Sequence, residues 1–259
     1  MKRSVVIQVL VLLVLLATIA INGAANALPL NGQTTGEISD RFPVYFVPAG
    51  YVFSIWGLIY LGLGLYAVYQ ALPAQRTNPR LASIDVLFIL SCAANIAWLF
   101  LWHYNIFPLT LVAMVAILGC LIAIYLRLGV GLVDVPRAEK WLVHIPFSIY
   151  LGWITVATIA NATSLLSYLN WSGWGVSEEV WTAIMLAAGV VIAGLMAFTR
   201  GDVAYLLVII WAFVGIAFKH ASSPSVATAA WVASGAVAIL LVAGVIIHRR
   251  RAPALAPAG

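Results

Sequence analysis

Apolar residues run through this chain in long blocks, and short stretches between them hold most of its prolines and charges. The blocks cover residues 5–22, 50–72, 83–103, 108–127, 141–165, 180–199, 203–219 and 226–247. Each is roughly 17–25 residues long, the length an α-helix needs to cross a bilayer. Eight spanning helices are therefore predicted. Pro73, Pro79, Pro108, Pro136 and Pro224 fall at the breaks, where a ring without an N–H starts or stops a helix. Pro146 falls inside a block and predicts a kink near the start of the fifth span. Residues 23–47 form a polar, Asn- and Gly-containing loop with Glu37, Asp40 and Arg41.

Composition agrees with this pattern. Hydrophobic residues make up 64% of the 259 and charged residues 8%, whereas a soluble domain carries about 25% charged residues. So few charges cannot cover a water-facing surface, which makes this a multi-pass integral membrane protein. No basic patch interleaves with exposed aromatics, so nucleic acid is excluded as a partner. Cys92 and Cys120 lie in apolar runs without metal-ligand spacing and read as small buried hydrophobes. Met1-Lys-Arg-Ser, the apolar run after it and Ala25-Asn-Ala27 also have the form of a signal peptide, so the residues leave open whether 1–27 is retained.

Charge then assigns sides. With eight spans and a cytoplasmic N-terminus, Lys2, Arg3, Arg76, Arg80, Arg127, Arg137, Lys140, Arg200, Arg249, Arg250 and Arg251 are all cytoplasmic. Only Arg41 and Lys219 fall opposite. This split follows the positive-inside rule and places both termini in the cytoplasm.

Three stretches carry candidate chemistry. In Pro48-Ala-Gly-Tyr-Val-Phe-Ser-Ile-Trp56-Gly-Leu-Ile-Tyr60, Trp56 and Tyr60 are four residues apart and share a helical face. Gly57, Gly62 and Gly64 thin the same helix and predict close approach of a neighbour. In the third span, Asn95 and Trp98 share a face, and an amide in lipid needs a partner. In the fifth, Trp153, Ala157 and Asn161 form one stripe. By helix rise these residues lie ~6–18 Å below the non-cytoplasmic ends, deeper than interfacial belt residues such as Trp102, Trp141, Trp171, Trp174 and Trp181. Packing and an interhelical hydrogen bond account for each stretch alone; together they resemble the walls of a small-molecule pocket.

The three stretches resemble the TspO/MBR family, the tryptophan-rich sensory proteins and the translocator or peripheral benzodiazepine receptor. The first is similar to that family's Pro-x-x-aromatic-x-Phe-x-x-Trp-x-x-x-Tyr-x-x-x-Gly, with Tyr51 in place of the first of two tryptophans. Asn95 and Trp98 match Asn-x-x-Trp; Leu99-Phe100 falls near, not on, the following Phe. Tyr150, Trp153, Ala157 and Asn161 match Tyr-x-x-Trp-x-x-x-Ala-x-x-x-Asn, with Ile149 replacing the family proline.

The resemblance covers residues 1–165 and implies a five-helix TspO-like bundle there, with three additional C-terminal transmembrane helices over 166–248. Residues 249–259 then read as a disordered cytoplasmic tail. The fold class is thus an all-α integral membrane protein. The resemblance further implies an often dimeric receptor with a pocket between helices, covered by the 23–47 loop. That pocket takes hydrophobic aromatic ligands, porphyrin or haem-type tetrapyrroles and sterol-like molecules, with no cofactor required. Carried over residue by residue, its ligand-binding residues are Trp56, Tyr60, Asn95, Trp98, Trp153 and Ala157, with Asn161 structural.

Other residues read more simply. Asp85, the one acid inside a predicted span, sits where it complements a helix dipole, with a proton relay as the other reading. Lys219 reads as a snorkelling lysine rather than a Schiff base. Glu178 and Glu179 open the sixth span as N-terminal charges. No Ser-His-Asp set, phosphate loop or paired carboxylates occur, which excludes hydrolase and kinase chemistry. The function expected is a non-enzymatic receptor or sensor for a porphyrin-like ligand. The alternatives are a transporter of such a molecule and a porphyrin-degrading enzyme that uses tryptophans as electron donors. The charge split predicts that a cytoplasm-active reporter fused after Gly259 is active, and that a periplasm-active one in the same place is silent. The reverse result contradicts the eight-span topology.

Overall fold

A computed structural model describes residues 3–251, and every regular element among them is helical. The main helices are α1 (Val5–Ala27), α2 (Thr35–Asp40), α3 (Ile55–Ala71), α4 (Pro79–His103), α5 (Phe107–Leu128), α6 (Arg137–Glu139), α7 (Ile145–Tyr168), α8 (Glu178–Arg200), α9 (Val203–Lys219) and α10 (Pro224–Arg251). Seven helices are long and apolar enough to cross a membrane, and α9 is a shorter apolar one of 17 residues. Helix α10 continues through Arg249–Arg251, the start of the expected tail; the rest of that tail lies outside the described residues.

Helices α1, α4, α5, α7 and α3 pack in that order into a closed ring of five. Helix α9 lies against α7, and α8 and α10 pack on α9 and on each other. The short α9 nonetheless joins the two ends of the molecule. At its start, Asp202 caps the helix by accepting from Tyr205 N–H at 3.1 Å, and it also accepts from Tyr125 Oη at 2.8 Å and Ser148 Oγ at 2.6 Å. This one buried carboxylate holds α5, α7 and α9 together. At its far end, the Lys219 ammonium donates to Asp40 Oδ1 at 2.7 Å. Gly215 lets α9 approach the chain entering α3: a Cβ there would come within 2.2 Å of Val52 Cγ2.

The basic end is tied by charge. Arg3 donates from Nε to Asp85 Oδ2 at 2.7 Å and from Nη2 to Asp85 Oδ1 and to Gln70 Oε1, the latter at 2.8 Å. Both charges are buried. Asp85 is therefore the partner of Arg3, clamping the start of α1 to α4, rather than a free acid beside a helix dipole. Arg80 makes a second clamp, donating to the buried Glu139 at 2.6 Å and 3.0 Å. His248 of α10 lies against Gly201, and Arg200 Nη1 donates to Val130 O at 3.4 Å. Arg127 of α5 donates from Nη1 to Ser83 O of α4 at 2.6 Å, so the starts of α1 and α4 and the ends of α5, α8 and α10 share one end.

One expectation about backbone shape is corrected, and the one for Pro146 takes a specific form. Of the three α3 glycines, only Gly62 has a close neighbour, with Pro146 3.1 Å from the position of a Cβ. Gly57 and Gly64 have none within 4 Å. Pro146 perturbs its helix through the turn ahead of it, since residues Lys140–His144 form a π-helical turn. Pro146 lacks an N–H and its ring crowds the carbonyl four residues back, and a wider turn relieves both.

Removing one partner of the Arg3–Asp85 pair leaves the other charged and buried. Asp85→Asn is expected to cost about 3–5 kcal/mol, seen as a lower melting temperature in detergent. The double variant Arg3→Met/Asp85→Leu is expected to recover most of that loss. A single variant as stable as the parent would show that the pair does not hold the helices.

Candidate functional site

The aromatic face of α3 is built by spacing. Trp56 and Tyr60, one turn apart, stack with ring centroids 5.4 Å apart and planes at 23°. Helix α7 meets them edge-on, with Trp56 6.0 Å from Tyr150 and 6.3 Å from Trp153. Phe53, on the 3-10 turn leading into α3, adds an edge contact to Trp153 at 5.7 Å. Such tilted geometries suit ring quadrupoles and keep the rings from filling the space face to face.

Polar groups reach this cluster from two further helices. Asn95 of α4 accepts from Asn22 Nδ2 of α1 at 2.8 Å and donates to Tyr150 Oη at 3.4 Å. Asn95 thus has helix partners, as an amide in lipid must. Tyr60 Oη, Trp153 Nε1 and Trp98 Nε1 are buried and have no hydrogen-bond partner among the described residues. Leaving such an atom unpaired costs about 1–3 kcal/mol, and buried polar groups are normally satisfied. Three of the six expected pocket residues therefore present an unused polar atom.

The structure groups Trp56, Tyr60, Asn95 and Trp153 around Tyr150. Ala157 packs partly buried against the same core, one turn along α7 from Trp153. Trp98 belongs to an adjoining cluster, stacked on Trp102 at 5.5 Å and 18°. Asn161 stands outside the cage and fastens α7 to α5, donating to Thr110 Oγ1 at 3.1 Å. Tyr51 is also outside, half exposed against Trp211 of α9. Sequence reasoning did not include Asn22, Phe53 or Tyr150 in the site. Asn22 had a readable signal, an amide inside the first apolar block, and Tyr150 lay within the quoted α7 motif.

Trp102 is a correction. It is buried at 4% exposure rather than interfacial, and its Nε1 donates to Thr35 O at 3.2 Å. It holds α2 across the end of the bundle, with Ile38 of α2 fully buried beside Trp102 and Phe107. Asn31 Nδ2 donates to His103 O at 2.9 Å, and Arg41 donates to Asn105. The connection between α1 and α3 is therefore a fastened cover. Helix α2 starts in a capping box of Thr34 and Glu37. The Thr34 N–H and hydroxyl hold the Glu37 carboxyl below the usual carboxylate range. The Thr34-x-x-Glu37 spacing was legible in the sequence.

The helix ends on this side also border an open cleft of ≈ 180 Å³ between the cover, α7 and α8. None of the six expected pocket residues lines it. Among the described residues no group of three or more His, Cys, Asp and Glu is placed to hold a metal.

Comparison with known proteins places these features. A family model described as TSPO-like protein matches residues 8–243, continuing past residue 165, where the motif resemblance ends, through α8, α9 and most of α10. The translocator protein homolog of Schizosaccharomyces pombe is 32% identical over 125 residues, covering 48% of this chain and 71% of that protein. No solved structure matches.

The indole bond from Trp102 gives a direct test of the cover. Trp102→Phe keeps an aromatic ring but removes the donor and the five-membered half of a buried indole, so it costs more than the ~1 kcal/mol of the hydrogen bond alone. Amide hydrogen exchange across residues 34–42 is expected to quicken while that of α9 does not. Unchanged exchange over 34–42 would show that the indole does not hold α2.

Proposed function

The chain belongs to the TspO/MBR family, and from that premise we propose that it is a membrane receptor or sensor for a flat aromatic ligand such as a porphyrin. The family supports the coarser statement, a membrane receptor or transporter of hydrophobic ligands. The finer one rests chiefly on Tyr60 Oη, Trp153 Nε1 and Trp98 Nε1, buried among aromatic rings and unpaired. A tetrapyrrole presents an apolar face to such rings and polar edge groups to such atoms. Trp56, Tyr60, Asn95, Trp98, Trp153 and Ala157 are the residues assigned to it. Asn95 orients Tyr150, and Asn22 orients Asn95. The α2 cover would keep water from the site. A cytoplasmic position for the basic end is part of the same proposal, argued from the positive-inside rule.

The test is titration of the purified chain with protoporphyrin IX, followed by tryptophan fluorescence. Ala157→Phe is expected to weaken binding by at least about tenfold while leaving the ligand-free melting temperature unchanged. A phenyl group forced into a tight helix contact instead costs about 1–3 kcal/mol and lowers that temperature. Unchanged affinity in a stable variant removes Ala157 from the site. Solute flux in proteoliposomes separates the transporter reading from the receptor reading, since a receptor binds without flux.

A further inference from the structure

The cavity beside the aromatic cage has a chemistry of its own. Its walls come from Val44–Phe46 of the cover, Thr163, Leu166 and Ser167 of α7, Trp171–Gly173 and Val176 of the following turn, and Glu178, Trp181, Thr182 and Met185 of α8. It exists only because the chain continues past α7. At ≈ 180 Å³ it is slightly larger than a cavity of ~150 Å³ that accepts one benzene. That volume suits a molecule of about one ring.

Three tryptophans shape the turn. Trp171 lies 5.3 Å from Trp174 and 5.2 Å from Trp181, and Trp174 is 5.9 Å from Trp181. Gly173, Trp174 and Gly175 all have positive φ, at 63°, 53° and 79°. For a bulky residue such as Trp174, which is exposed beside the cavity and does not line it, this conformation is disfavoured. Trp181 Nε1 donates to Gly173 O at 3.0 Å and fixes the turn. Trp171 and Trp181 line the cavity together with Tyr45 and Phe46.

The charge at this site has one sign. Glu178 lines the cavity and, among the described residues, its carboxylate has no hydrogen-bond or ion-pair partner. Glu179 follows it and accepts from Tyr45 Oη at 3.5 Å. No Lys, Arg or His lines the cavity. The closest bases are already engaged: Lys219 pairs with Asp40, and His220 packs on Tyr45 at 5.2 Å. Burial pushes the His220 imidazole below its ordinary range, so it adds no charge against a cation at neutral pH. Aromatic faces with a carboxylate beside them are the arrangement that recognises ammonium groups.

We propose that this cavity is a second binding site, contributed by the extension, for a small organic ammonium compound with a body of about one ring. Its ring or methyl groups lie against Trp171, Trp181 and Tyr45, its positive charge faces Glu178, and Thr163, Ser167 and Thr182 supply neutral acceptors. The site is independent of the tetrapyrrole reading of the central cage.

The test uses the purified full chain and titration calorimetry with benzyltrimethylammonium, benzyl alcohol and phenylacetate. The cation is expected to bind saturably, one per chain, at least about tenfold tighter than either other probe. Glu178→Gln, an exposed change that leaves packing intact, is expected to weaken it about fivefold. Trp171→Leu is expected to weaken it about tenfold or more. Both variants are expected to bind protoporphyrin IX as the parent does. Equal affinity for the three probes, or full cation affinity in both variants, would overturn the proposal. Loss of porphyrin binding together with cation binding would overturn the separateness of the two sites.

Discussion

A polar atom inside hydrocarbon must find its partner within the protein, because lipid offers none. This constraint accounts for most of the contacts that give the molecule its shape. Arg3, Asp85 and Gln70 satisfy one another where α1 and α4 begin and α3 ends. Asp202 collects Tyr125 and Ser148 where α5, α7 and α9 meet. Asn22 and Asn95 join α1 to α4 in the middle of the bundle, and Thr110 and Asn161 join α5 to α7 near the cover. Apolar surface alone does not choose among helix neighbours in lipid, since lipid tails are as apolar as leucine. Polar pairs at different depths do choose.

The same constraint makes the exceptions informative. Tyr66 Oη is also unpaired, but among the described residues the hydroxyl of Tyr60 and the indole nitrogens of Trp153 and Trp98 are the ones left without partners beside the paired amides Asn22, Asn95 and Asn161. They lie where α3, α4 and α7 converge and where α2 closes the end of the bundle. The cover is held from outside the five-helix ring as well as within it: Trp102 and His103 bind it from α4, and Lys219 from α9. The extension thereby reaches the loop that covers the cage. A change in how α9 sits would be felt at Asp40.

Much of this was legible in the sequence, because spans in lipid leave a strong one-dimensional signal. The helices begin and end within a few residues of the expected blocks, and the placement of Trp56 with Tyr60 and of Trp153 with Ala157 follows from helical periodicity. What was not legible was pairing between distant positions. Nothing near Asp85 in the chain points to Arg3, and nothing near Trp102 points to Thr35. Trp102 looks like a belt residue by depth, but a loop folding back over a helix end buries it. Gly57 and Gly64 look like contact points by composition, yet only Gly62 meets a neighbour. The cavity against α8 lies between segments more than a hundred residues apart, from Val44 to Met185, and no local pattern announces it.

The central claim is that the unpaired polar atoms of the cage receive the ligand. Indole N–H resonances report it most directly, in a chain labelled with ¹⁵N at tryptophan and held in lipid nanodiscs. The signals of Trp98 and Trp153 are assigned by single substitution to phenylalanine, and those of the exposed Trp141 and Trp174 serve as controls. On adding protoporphyrin IX, the account predicts that the Trp98 and Trp153 signals shift and the controls stay in place. Saturable porphyrin binding that leaves Trp98 and Trp153 unmoved would contradict it.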